Sequence, residues 1–132
     1  MNRGNLIEGS VPSDMLLLKE FIADAMGEVA SYVTDRDLLF DIRLIIDELL
    51  LNGADHGNEW DREKQVYLRM DFISDGVKII VQDEGRGIEY FPEGDPCTMD
   101  CCSGRGLFLV ESLCQSVAYE GNTIECYLEL PY

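Results

Sequence analysis

The sequence predicts an α+β protein, a two-layer α/β sandwich whose mixed, mostly antiparallel sheet carries about three helices on one face. Three observations lead there. Apolar residues recur at helical spacing through the first half of the chain, they alternate at strand spacing in two later pairs of segments, and a helix separates those pairs. Helices, then a hairpin, a helix and a second hairpin do not give the strict alternation of a doubly wound parallel sheet.

Residues 5–9 are expected as a short strand. After Pro12, residues 14–29 read as a helix with Leu16, Leu17, Phe21 and Ile22 on its apolar side, and Ser13 or Ser10 as its cap. Thr34 is expected to cap a second helix over residues 35–55, where Leu38, Ile42, Ile45 and Leu49 form a buried stripe and Arg43 with Asp47 an i,i+4 pair. Gly57 is the natural left-handed stop for that helix. Val66, Leu68, Met70 and Phe72 alternate with Tyr67, Arg69 and Asp71, a strand that turns at Ser74-Asp75-Gly76 into a second one over residues 77–82. Residues 83–103 read as loop. A third helix over about 105–114 and two strands near 116–120 and 123–130 around Gly121-Asn122 complete the pattern.

A chain of 132 residues is expected to form one domain, 1–132. No apolar run reaches bilayer-spanning length and Met1–Ser10 lacks a signal-like apolar stretch, so the expected location is cytoplasmic. The net charge of -16 argues against nucleic acid and anionic membrane as direct partners. Five cysteines, an odd number, are expected as reduced thiols. Cys97, Cys101 and Cys102 cluster without a paired C-x-x-C spacing, and the only histidine is the distant His56, so zinc is disfavoured.

Three short patterns carry chemistry. Glu48 and Asn52 stand one helical turn apart on one face, and His56 continues the line. A carboxylate beside an amide oxygen can combine a general base with a ligand for a hard cation. Taken alone the pair reads as a solvated helix face, but Ile45, Ile46, Leu49, Leu50 and Leu51 leave little of that helix exposed. Asp83-x-Gly85-x-Gly87 follows a strand; the carboxylate could accept an amino hydrogen from adenine while the glycines let backbone approach the base. A glycine-rich turn explains this pattern equally well by itself. Gly104-Arg105-Gly106-Leu107 opens a helix, where free N–H groups and the arginine suit phosphate. The Walker-type loop is absent, since Lys19, Lys64 and Lys78 follow no glycine loop, and the eukaryotic kinase and Rossmann patterns are absent too.

In order and spacing, these three patterns resemble the N, G1 and G2 boxes of the GHKL (Bergerat) ATP-binding superfamily. Within it the chain resembles the bacterial anti-sigma factor serine/threonine kinases, whose E-x-x-x-N, H-G, D-x-G-x-G and G-R-G-L match Glu48, Asn52, His56-Gly57, Asp83-Gly85-Gly87 and Gly104–Leu107. The resemblance spans nearly the whole chain. It implies ATP and Mg²⁺ as cofactors, Glu48 as catalytic base toward a serine or threonine, Asn52 on the metal, and Asp83 on adenine. His56, Gly85, Gly87, Gly104, Arg105, Gly106 and Leu107 complete the implied nucleotide site, with residues 88–103 as a lid. The implied partners are a small phosphorylatable anti-sigma factor antagonist, a sigma factor and a second copy of the chain. Gly53 stands where the family has alanine, and Asn58 where it has an aromatic residue. Alternatives to the kinase are a nucleotide-gated regulator without kinase activity, the catalytic half of a split histidine kinase, and a non-enzymatic scaffold.

Overall fold

The computed structural model describes residues 5–85 and 108–130. Strand β1 (Leu6–Pro12) leads into helices α1 (Met15–Val29) and α2 (Arg36–Asn52), and α2 continues into a π-helical turn, Gly53–Gly57. Strands β2 (Gln65–Ile73) and β3 (Gly76–Gln82) follow, then helical residues 108–113 (α3), β4 (Ser116–Glu120) and β5 (Thr123–Glu129). The sheet has the order β1-β2-β3-β5-β4, and every described pairing is antiparallel. This is the expected α+β sandwich.

Alternation decides which face of the sheet is covered. Val66, Leu68, Met70 and Phe72 of β2, Val77, Ile79 and Val81 of β3, and Ile124, Cys126 and Leu128 of β5 are buried, whereas Tyr67 and Arg69 are exposed. The helices supply Leu18, Ile22, Ala25 and Val29 from α1 and Ile42, Ile45, Ile46, Leu49 and Leu50 from α2. At about 25 cal/mol per Å² of apolar area removed from water, this shared core is the main favourable term.

The helix starts differ from the sequence expectation by one residue each. Asp14, not Ser13, caps α1 by accepting from the N–H groups of Leu16 and Leu17, and Asp35, not Thr34, caps α2 by accepting from Asp37 and Leu38. Asp14 also binds Arg62 at 2.9 Å. Ser13 is instead buried and donates to the Lys64 carbonyl at 2.9 Å, tying the start of α1 to β2. The inward face of α1 is turned too: Leu16 and Leu17 are 66% and 43% exposed, and Leu18 takes the core position. Three consecutive leucines left periodicity unable to choose; Leu18 is the one in line with Ile22, Ala25 and Val29, the buried stripe of α1.

Gly57 does not end α2 in a left-handed conformation. The helix widens, with the Asn58 N–H donating to the Gly53 carbonyl at 2.8 Å. The left-handed residues come afterwards, Glu59 at φ 55° and Trp60 at φ 56°. The reason Gly57 is glycine lies in what it touches.

Candidate functional site

Glu48 and Asn52 occupy the last two turns of α2, both half-buried at the rim of the helix layer. Neither side chain has a hydrogen bond or ion pair with another described residue. Arg43 and Asp47 stand 3.7 Å apart as the i,i+4 pattern requires, yet burial outweighs the arginine and pushes the Asp47 carboxyl up.

His56 lies in the π turn. Its ring is half exposed and lies 3.6 Å from Asp55.

The π turn carries Gly57 against Asp83, the residue that follows β3. A Cβ on Gly57 would overlap the Asp83 carboxyl group, and a Cβ on Gly85 would overlap the Gly57 carbonyl. A Cβ on Gly53 would sit 3.1 Å from a Val66 methyl and 3.4 Å from the Asp83 Cβ. Glycines from the first and second sequence patterns thus meet at one point and let two backbone segments touch around one carboxylate.

Asp83 is held from several sides. Its N–H donates to the Asn122 carbonyl at 3.0 Å, and its own carbonyl accepts from Asn122 Nδ2 at 2.6 Å. Its Oδ1 accepts from the Gly85 N–H at 2.8 Å, while Oδ2 has no hydrogen-bond partner among the described residues. Burial pushes the carboxyl above its ordinary value, against the opposing pull of the Gly85 N–H and the Lys64 charge. An acceptor aimed by its surroundings and partly stripped of water is what recognition of an amino group requires.

Sequence reasoning missed three residues here. Asn58, read only as a substitution for an aromatic residue, is buried and fully used. It donates to Ser13 Oγ at 2.9 Å and to the Gln65 carbonyl at 3.0 Å, and accepts from the Glu84 N–H at 2.8 Å. The Glu84 carboxylate accepts from the Gln65 N–H and the Tyr67 hydroxyl, each at 3.0 Å. Asn122 read only as a hairpin-turn residue. No local signal marks a partner 26 or 39 residues away.

Gly87, Gly104, Arg105, Gly106 and Leu107, the expected lid 88–103 and its cysteines Cys97, Cys101 and Cys102 lie outside the described residues. Among the described residues no group of three or more His, Cys, Asp or Glu could hold a metal. A magnesium ion bound mainly through phosphates and water needs no such cage.

A helical layer ending in a Glu-x-x-x-Asn turn is thus packed on an antiparallel sheet and meets its Asp-x-Gly loop. The chain belongs to the histidine kinase-like ATPase domain family, whose model matches residues 11–127. It is similar to two bacterial regulators. One is the anti-sigma F factor of Priestia megaterium, 27% identical over 107 residues that cover 74% of this chain and 73% of that protein. The other is the serine-protein kinase RsbW of Bacillus subtilis, 24% identical over 131 residues that cover 92% of this chain and 82% of that protein. These relatives agree with the anti-sigma factor kinase resemblance read from the sequence patterns.

Proposed function

We propose that the chain is an ATP-dependent serine/threonine protein kinase that phosphorylates a small anti-sigma factor antagonist, and that it also holds a sigma factor. The observation that carries the kinase reading is Glu48: a half-buried carboxylate with no described partner, one turn before an equally unpaired Asn52. Bound ATP would supply the phosphoryl group and Mg²⁺ the charge that neutralises it. Asn52 would hold the metal, Asp83 the adenine, and Gly104, Arg105 and Gly106 the phosphates. Glu48 would orient the attacking hydroxyl and take its proton, a contribution of about 10²–10⁴-fold. The two relatives, one an anti-sigma factor and the other a serine-protein kinase, support the two halves of the proposal. Homodimerisation belongs to the same reading through the family resemblance, and a cytoplasmic location through the expectation drawn from the sequence.

Incubation with Mg-ATP and the cognate antagonist should transfer phosphate to a serine or threonine. Glu48→Gln should keep ATP binding and lose at least about 10²-fold in transfer. A wild-type chain that binds ATP and its antagonist without phosphorylating it would leave the nucleotide-gated regulator as the correct reading.

A further inference from the structure

The loop that carries Asp83 is held by two asparagines from separate parts of the chain. Asn122, in the turn between β4 and β5, brackets Asp83: its carbonyl accepts the Asp83 N–H and its side-chain amide donates to the Asp83 carbonyl at 2.6 Å. Asn58, just past the π turn, accepts the next N–H, that of Glu84, at 2.8 Å. Between them three consecutive backbone groups are fixed, and the Gly85 N–H then locks Oδ1 of the Asp83 side chain. The other carboxylate oxygen, Oδ2, lies against Gly57 and has no hydrogen-bond partner among the described residues.

The Asp83 N–H bond to the Asn122 carbonyl continues the β3–β5 ladder beyond the Gln82–Thr123 pair, and strand pairing explains it. Strand pairing does not require the side chain of Asn122 to reach back to the Asp83 carbonyl. Nor does it require Asn58, itself anchored to Ser13 and Gln65, to spend its oxygen on the Glu84 N–H.

We infer that Asn122 and Asn58 are positioning residues that set base specificity, aiming Asp83 Oδ2 at a hydrogen-bond donor on the 6-position of a purine. This rests on the ATP-site reading and adds to it the two side chains that make the site prefer a 6-amino purine. A carboxylate held in one direction rewards an amino group and repels a carbonyl in the same place; one free to swing does neither well.

The test compares binding of ATP with inosine triphosphate, which carries a carbonyl in place of the 6-amino group. Calorimetry is run on the full chain and on Asn122→Ala, which keeps the backbone acceptor for Asp83 and removes only the side-chain donor. Asn122→Ser, shorter and uncharged so that it neither reaches the Asp83 carbonyl as the amide does nor adds charge, is the second variant should Asn122→Ala fail to fold. The wild-type chain should prefer ATP. Either variant should weaken ATP while leaving inosine triphosphate nearly unchanged, so that the preference falls by about fivefold, the worth of one hydrogen bond. Equal weakening of both nucleotides, or an unchanged ratio, would overturn the positioning role and leave the ATP site standing. A wild-type chain that binds neither nucleotide would remove the ATP-site reading itself.

Discussion

A Cβ on Gly85 would overlap the backbone carbonyl of Gly57, and a backbone atom cannot rotate away as a side chain can. Gly85→Ala should therefore force the π turn and the Asp83 loop apart, destabilising the fold by about 1–3 kcal/mol. Urea denaturation should read that loss, and calorimetry should show nucleotide binding lost with it. An Ala variant of unchanged stability would mean that the two segments do not meet this closely. Asp83 itself should report through pH. Burial raises its carboxyl, so the ionised form is disfavoured in the free protein and gains when an amino donor arrives. ATP affinity should rise with pH through a window above the ordinary aspartate value of about 3.9 and weaken as pH falls through it. Asp83→Asn, which cannot titrate, should flatten that part of the profile. A wild-type affinity independent of pH there would separate Asp83 from the base.

At the scale of elements, the caps show what a one-residue difference does. Asp35 accepts from two N–H groups at the start of α2, the helix that ends in Glu48 and Asn52. Asp35→Ala should cost about 1 kcal/mol, visible as a shift of the urea midpoint with an unchanged slope. Thr34→Ala, the cap expected from sequence, should change almost nothing. Thr34 and Asp35 are adjacent good capping residues, so composition could not rank them. The π turn is the second case. Gly53 read as a departure from alanine and Gly57 as a stop signal, whereas Gly53 lies against Val66 of β2 and Asp83, and Gly57 lies against the Asp83 carboxyl.

Over the whole molecule, the net charge of -16 sets how a polyanionic nucleotide arrives. Long-range repulsion slows encounter, and salt screens it. The association rate of Mg-ATP, measured by stopped flow, should therefore increase from about 10 mM to about 150 mM salt. A rate that falls instead would place a dominant positive field at the entrance. The order of strands and helices, the buried stripe of α2 and the alternation of β2 were legible because each rests on local period, and burial follows period directly. The ATP-binding family was legible because its patterns are short, ordered and chemically specific. Glu48, Asn52, Asp83 and Gly85 all stood in those patterns.

What the sequence by itself determined was the inventory: which helices and strands form among the described residues, and which face of the sheet is covered. Only the tertiary structure decided how those residues are held. It moved the caps to Asp14 and Asp35, turned Leu16 and Leu17 outward, and replaced a left-handed stop with a π turn. It also brought Asn58, Glu84 and Asn122 into the support of Asp83. Periodicity is a property of neighbours along the chain. A hydrogen bond between residues 83 and 122 exists only once the sheet has set β3 beside β5.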